Sequence, residues 1–213
     1  MENMENENTA AAWVPGRRKV ITSLVFAALF AALIAAGTFI AIPIGPVPVT
    51  LQNMFALLAG LVLGPFLGAG AVALFLAAGI VGAPIFAGAN AGIAVILGPT
   101  GGYLLGYLLG TFAAGIILGT PAPGVKTPIW KLVLAVAVGF VLVYIPGLLW
   151  LNMFFSRTVL DEMGQVVSGG QIGLWRTLAA GFFPFIAGDA VKGVVAALVT
   201  PRLRRTAAQL FAR

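Results

Sequence analysis

The chain has 213 residues, of which 61% are hydrophobic and only 8% are charged, and its mean hydropathy is +1.07. Because a soluble domain carries about 25% charged residues, this composition excludes a soluble protein and predicts an integral membrane protein. The formal charge is +6, but the basic residues gather at segment ends, a pattern that does not indicate nucleic-acid binding. Cysteine and histidine are absent, which excludes disulfides, thiolate nucleophiles, serine–histidine hydrolysis and cysteine- or histidine-ligated metals.

The predicted elements are six membrane-spanning helices. Between Lys19 and Lys126 the sequence has no Lys, Arg, Asp or Glu, and a span needs about 20 apolar residues, so this stretch holds several crossings. Prolines and glycines divide the chain into its elements. The predicted spans are 20–42, 49–64, 66–81, 101–119, 131–153 and about 182–201, with 82–100 as a connection that partly re-enters the membrane. The predicted fold class is all-α, a polytopic membrane protein.

The second and third spans are short, and residues 49–81 could instead form one long kinked helix. Basic residues distinguish the two topologies, because cytoplasmic loops carry an excess of Lys and Arg. Six spans with a cytoplasmic amino terminus place nine basic residues inside and two outside, whereas five spans place five inside and six outside. The sequence therefore predicts a multi-pass protein of the cytoplasmic membrane with both termini in the cytoplasm.

The domain organisation follows from these spans. Residues 1–19 are predicted to be a flexible cytoplasmic tail, 20–201 the six-span membrane domain, and 202–213 a basic cytoplasmic tail. A cleaved signal peptide is the alternative for the amino-terminal segment. The first apolar run continues to Pro43, however, beyond the about 7–15 residues of a signal core.

The last span contains the candidate binding charges, Asp189 and Lys192. They are three residues apart and so lie on one helical face. Each charge costs about 2.5–3.5 kcal/mol at the centre of a span, which makes a functional role the default expectation. One interpretation is a mutual salt bridge that orders helix packing. The other is a ligand site, in which Lys192 neutralises a carboxylate and Asp189 accepts hydrogen bonds from ligand N–H groups.

Uncharged polar residues are predicted at the same membrane level. Thr50, Gln52 and Asn53 lie at the start of the second span, and Asn90 stands alone among small residues in the 82–100 connection. Asn90 can both donate and accept hydrogen bonds, which suits a urea-like or amide-like ligand, although it could equally cap its own loop. Tyr103, together with Phe86, could form the wall of an apolar slot, or these rings could simply pack.

The first span carries two parallel rows of alanines, each with a spacing of four residues. A strip of small residues allows another helix to approach closely, either in this chain or in another subunit. The rows are Ala27, Ala31 and Ala35, and beside them Ala28, Ala32 and Ala36. The chain has no Gly-x-x-x-x-Gly-Lys-Ser/Thr loop, so energy for uphill transport is expected from a partner.

Three stretches resemble the biotin-specific substrate-capture subunits, the BioY family, of energy-coupling factor transporters. They are PVPVTLQNM at 46–54, GAPIF at 82–86 continuing through Asn90 to LGPTGGY at 97–103, and the segment from Pro184 to Lys192. The motifs keep the family's order and spacing, and the resemblance covers about 20–201. Residues 87–91 depart from the family pattern by having alanines where more glycines are expected, which affects details of ligand contact.

The resemblance implies a six-helix subunit that captures biotin from outside, is not an enzyme and has no cofactor, biotin being the transported ligand. Asn90, Asp189 and Lys192 match family residues that contribute to the biotin site. One of the alanine rows would dock a transmembrane coupling subunit that works with two ATPase subunits. The alternatives are a capture subunit for another vitamin, a lipid-modifying enzyme with Asp189 as base, and a passive channel.

Overall fold

The computed structural model describes residues 15–42, 47–157 and 174–212, which form eight helices and one short ribbon. The helices are α1 (Pro15–Thr38), α2 (Gln52–Leu63), α3 (Pro65–Val81), α4 (Ile93–Leu97), α5 (Gly101–Leu118), α6 (Ile129–Arg157), α7 (Leu174–Gly181) and α8 (Phe183–Ala212). The strands β1 (Ala41–Ile42) and β2 (Val49–Thr50) pair antiparallel. The helical membrane protein is confirmed, and the ribbon of two residues per strand is a small addition to the predicted all-α class.

Four of the described helices are long and apolar enough to cross a membrane. They are α1 from Lys19 onwards, α5, α6 as far as Phe155, and α8. The helices α2 and α3 have 12 and 17 residues, fewer than the about 20 of a simple span. Helix length therefore supports four of the six predicted spans, and the crossings assigned to α2 and α3 stay predictions.

The first helix is displaced from its prediction at both ends. It begins at Pro15, so residues 15–19, which were assigned to the flexible tail, are helical, while 1–14 lie outside the described residues. It ends at Thr38 rather than at residue 42, because residues 41–42 pair with the second strand instead.

The last helix begins at Phe183, close to its predicted start. It continues through Pro201 to Ala212, well beyond the predicted end at residue 201. Residues 202–212, which were predicted as a separate tail, are thus the last turns of a membrane helix.

The helices α2 and α3 are separate elements, as the charge distribution predicts. Gly64 joins them with φ of 86° and ψ of −179°, a backbone conformation that side-chain-bearing residues rarely adopt. The chain reverses there, and a methyl group added at Gly68 would lie 2.7 Å from the Cα of Gly60. The two helices therefore pack directly against each other.

Glycines spaced four apart on α5 bring its backbone against α6. A methyl group at Gly106 would lie 2.6 Å from the carbonyl oxygen of Val143, and one at Gly110 would lie 2.4 Å from that of Gly139. Close backbone approach of this kind gives the van der Waals packing that holds helices together in lipid. The pair forms a rigid wall for the site described below.

The bundle has two distinct ends. We call "terminal end" the one where α1 begins and where α2, α5 and α8 finish, and "cavity end" the opposite one. At the terminal end, the buried Arg204 of α8 donates hydrogen bonds to the carbonyls of Leu61 (2.6 Å), Leu118 (3.1 Å) and Gly119 (3.1 Å). A cation at the carboxyl ends of two helices satisfies their unpaired carbonyls and complements their dipoles.

Candidate functional site

The candidate site is a cavity of about 50 Å³ at the cavity end of the bundle. Gln52 and Asn53 of α2, Tyr144 of α6, and Asp189 and Lys192 of α8 supply polar groups. The rest of the lining is mainly apolar or aromatic. It comes from the α1–α2 connection, the 82–100 connection, α5, α6 and α8. A few convergent polar groups in an apolar wall are typical of a small-molecule site.

Asp189 and Lys192 form the centre of the site. Their side chains are buried, and Lys192 Nζ lies 2.8 Å from Asp189 Oδ1. This geometry confirms that the two residues share a helical face. The salt bridge and the position in a cavity, which were alternative interpretations of the sequence, are both present in the structure. Because the two charges neutralise each other, the pair presents both donors and an acceptor without net charge.

Two further side chains complete the polar cluster. Asn53 donates from Nδ2 to Asp189 Oδ1 at 2.8 Å and accepts from Lys192 Nζ at 3.1 Å. The hydroxyl of Tyr144 donates to Asp189 Oδ2. Lys192 has three ammonium donors, of which two are used, so one is available to a ligand.

Gln52 contributes a donor without a partner among the described residues. Its side chain is only 2% exposed, and its Oε1 accepts a hydrogen bond from the Thr50 hydroxyl at 3.3 Å. Its Nε2 is buried and makes no hydrogen bond. An unsatisfied buried donor costs about 1–3 kcal/mol, so this amide is suited to an acceptor atom on a ligand.

Tyrosines and a phenylalanine form much of the apolar wall. The ring of Tyr103 packs edge-on against Tyr144 with centroids 6.3 Å apart, and its hydroxyl donates to the carbonyl of Gly181 at 2.8 Å. Phe86 is fully buried against Phe75. Tyr103 therefore lines the cavity as predicted, with its hydroxyl donor already used by the protein.

Asn90 does not join the other predicted site residues. Its side chain is exposed, is absent from the cavity wall and donates from Nδ2 to the carbonyl of Ala87 at 2.7 Å. The loop turns back on itself there, since Phe86 and Asn90 pair through their backbones and Ala89 has a φ of 58°. Asn90 thus caps its own loop, whose residues Phe86 and Ala87 line the cavity.

The structure separates the two alanine rows of α1. Ala27 and Ala31 are each 8% exposed and pack in the core, with Ala35 at its edge. Of the two predicted alternatives for this row, the structure shows packing inside this chain rather than an open face for a partner helix. The neighbouring row of Ala28, Ala32 and Ala36 is exposed.

Tyr144 is the site residue that the sequence-based prediction omitted, whereas Asn53 was predicted at this membrane level but was not assigned to the site. Asn53 carries a weak signal, as a polar residue next to Gln52 in an apolar span. Tyr144 carries none, because a tyrosine in a membrane helix usually packs or lies at the interface. Their roles arise only when α2, α6 and α8 meet.

Comparisons with known proteins give a consistent result. A sequence model of the BioY family matches residues 5–209. The biotin transporter BioY of Thermotoga maritima is 37% identical over 182 residues, which cover 85% of this chain and 95% of the relative. The probable biotin transporter BioY of Pyrococcus horikoshii is 37% identical over 177 residues, with coverages of 83% and 93%. A crystal structure of the S-component for biotin from an ECF-type ABC transporter matches with a TM-score of 0.67 at 29% identity, covering 91% of this chain and 95% of that chain.

Proposed function

The chain belongs to the BioY family, and we propose that it is the subunit that captures biotin for an energy-coupled uptake transporter. The observation that carries this proposal is similarity to biotin transporters over most of both chains, together with the fold of a biotin S-component. Isothermal titration of the purified protein against biotin and several unrelated vitamins tests it. Biotin is expected to bind far more tightly than the others, and preference for another vitamin would overturn the assignment.

We propose that the ureido group of biotin faces the Asp189–Lys192 pair. The pair is already neutral, so a ligand carboxylate there would leave one uncompensated charge in a buried site, at a large desolvation cost. A urea has both N–H donors and a carbonyl acceptor, and it matches the mixed cluster without adding charge. The direct contact of the two residues also disfavours the first expectation, in which Lys192 neutralises a ligand carboxylate while Asp189 accepts hydrogen bonds from ligand N–H groups.

The apolar part of the ligand then lies against the aromatic wall. A vitamin-sized ligand usually occupies a site of about 300–1,000 Å³, whereas the cavity of about 50 Å³ holds only a few waters. Binding therefore requires the walls to move apart. The 82–100 connection contributes part of the wall, and hydrogen bonds from Thr38 to Ile85 (2.8 Å) and from Trp150 to Gly98 (2.9 Å) attach it to α1 and α6.

Asn90 is proposed to act by shaping this connection. Replacing Asn90 with Leu removes the hydrogen bond to Ala87 and is expected to weaken biotin binding by about ten-fold. Iminobiotin, whose ureido group is altered, should lose affinity by the same factor, since Asn90 is not assigned to the ureido group. A loss confined to biotin would instead place Asn90 against the ureido group.

The topology proposed for this function has six crossings with both termini in the cytoplasm. The described basic side chains support this orientation, because Lys19, Lys126, Lys131, Arg202, Arg204 and Arg205 lie at the terminal end. The cavity end then faces outward, where biotin is captured. The helix α2, about 18 Å long, completes its crossing with the non-helical residues 47–51 that precede it.

The exposed alanine row, Ala28, Ala32 and Ala36, is proposed as the docking surface for the coupling subunit, which works with two ATPase subunits. Small exposed residues on a long membrane helix permit close contact with a partner helix.

The lipid-modifying enzyme is a weaker candidate, since both carboxylate oxygens of Asp189 already accept hydrogen bonds. The two relatives named above are a biotin transporter and a probable biotin transporter, which supports a non-enzymatic role.

A further inference from the structure

A second and larger cavity lies at the terminal end of the bundle, far from the candidate site. It has a volume of about 490 Å³ and lies between the last turns of α8 and the α5–α6 connection. Its polar and charged lining comes from Lys126 and Thr127 of the connection and from Arg204, Arg205 and Gln209 of α8. Cavities of about 300–1,000 Å³ are large enough to hold a small molecule or a headgroup.

Within the described residues, no acidic side chain compensates the positive charge of this cavity. Lys126 and Arg205 are exposed and make no hydrogen bond or ion pair with any described residue. Arg204 donates to backbone carbonyls, which satisfy its donors without cancelling its charge. Asp189, the one acidic residue in the described ranges, lies at the other end and is paired with Lys192. Three cations around one concave surface create a potential that attracts anions.

Apolar side chains project beside the same cavity. Val125 is 67% exposed, and Ile129 and Trp130, at the start of α6, are 71% and 62% exposed. The ammonium of Lys131 lies 5.6 Å from the centroid of the Trp130 ring. Tryptophan and lysine at the end of a membrane helix are typical of the bilayer interface. An anion bound here would therefore have hydrocarbon next to it.

We propose that this cavity binds the phosphate headgroup of an anionic phospholipid. Lys126 and Arg205 form charge-assisted hydrogen bonds to the phosphate, and Arg204 adds its charge from the wall of the cavity. The acyl chains lie over Ile129 and Trp130. The headgroup then links the α5–α6 connection to α8, the helix that also carries the biotin-site charges.

The proposal is tested with the full chain in phosphatidylcholine nanodiscs. Binding of short-chain phosphatidylglycerol, short-chain phosphatidylcholine and glycerol 3-phosphate is measured by native mass spectrometry and titration. Wild type is expected to prefer phosphatidylglycerol over the other two ligands. The double variant Lys126→Gln/Arg205→Gln should lose this affinity by about thirty-fold.

A matched control removes the same two charge types elsewhere. Lys19 and Arg176 are both exposed and do not line the cavity, so Lys19→Gln/Arg176→Gln should keep wild-type lipid affinity. Both double variants alter exposed side chains, so they should keep the wild-type melting temperature and biotin affinity. These two measurements serve as the test that each variant is folded.

Four results would overturn the proposal. Equal binding of the two lipids would show that the cavity has no preference for an anionic headgroup. An equal loss in the control variant would mean that only general attraction between a basic protein and anions operates. Equally tight binding of glycerol 3-phosphate would assign the cavity to a soluble phosphate. If Lys126→Gln/Arg205→Gln keeps its lipid affinity but no longer co-purifies with the coupling module, the cavity is a protein interface instead.

Discussion

At the scale of single residues, the Asp189–Lys192 pair is maintained by its neighbours as much as by its own attraction. Burying two charges carries a desolvation cost that a salt bridge offsets only when the remaining donors and acceptors are satisfied. Asn53 bridges the two charges and Tyr144 donates to the second carboxylate oxygen. Loss of one partner should therefore affect the fold as well as the ligand, and an experiment must separate these effects.

We expect Lys192→Met to lower the melting temperature, because it leaves the Asp189 carboxylate buried without its cation. The double variant Asp189→Asn/Lys192→Met should recover stability, since it removes both charges. Its biotin affinity should still be about ten- to 150-fold below wild type, because the hydrogen bonds to the ureido group are lost. Titration with biotin and with a biotin amide measures this, and both ligands should lose equally. A loss specific to free biotin would show that Lys192 binds the carboxylate.

The unpaired amide of Gln52 leads to a second prediction, in which stability and affinity move separately. Replacing Gln52 with Met removes a buried donor that has no partner among the described residues and also the long, 3.3 Å hydrogen bond from Thr50. These two effects oppose each other, so the melting temperature without biotin should stay close to wild type. Biotin affinity should fall by about ten-fold, because the ligand loses a hydrogen bond. Thermal unfolding and titration of the same preparation test both parts. Unchanged biotin affinity would exclude Gln52 from ligand binding.

At the scale of elements, α1 presents small residues on two adjacent faces with different environments. One row packs on the core beside Phe30 and Ile34, which are 4% and 0% exposed, whereas the other row is open to the membrane. Adjacent alanines on one helix thus provide a matched pair for separating docking from folding. The comparison uses Ala31 in the core row and Ala32 in the exposed row.

We expect Ala32→Trp to block close approach of the coupling subunit while leaving melting temperature and biotin affinity near wild type. Ala31→Trp should instead lower the melting temperature, because overpacking a filled core costs about 1–3 kcal/mol or more. Co-purification with the coupling module, thermal unfolding and biotin titration are measured on both variants. If Ala32→Trp co-purifies like wild type, the exposed row is not the docking surface.

At the scale of the whole molecule, the two ends differ in charge, and this asymmetry makes the proposed orientation testable. The chain has no cysteine, so a single introduced cysteine can be labelled without background. Lys126 lies at the terminal end and Arg176 in α7 at the cavity end, and both are exposed. An impermeant maleimide should label Arg176→Cys in intact cells and Lys126→Cys only after the membrane is opened. The reverse labelling pattern would mean that the terminal end faces outward. Labelling of both cysteines in intact cells would mean that α6 does not separate them across the membrane, which contradicts six crossings.

The sequence alone determined the properties that depend on local composition. Hydrophobic runs and their proline and glycine interruptions located the helices, including the division of α2 from α3 at Gly64. A spacing of three residues was enough to place Asp189 and Lys192 on one face, since helical geometry is local. Gln52 and Tyr103, which the sequence predicts as site residues, both line the cavity, and their part in ligand binding stays a prediction.

Only the tertiary structure decided which side chains meet. Asn53 and Tyr144 reach Asp189 across 136 and 45 residues of chain, and no local pattern encodes contacts over such separations. Likewise, α1 has alanines on both faces, so its composition permits either face to pack, and the arrangement of neighbouring helices selects the one that carries Ala31. Asn90 caps its loop instead of entering the cavity because the backbone turn at Ala89 brings the Ala87 carbonyl within its reach.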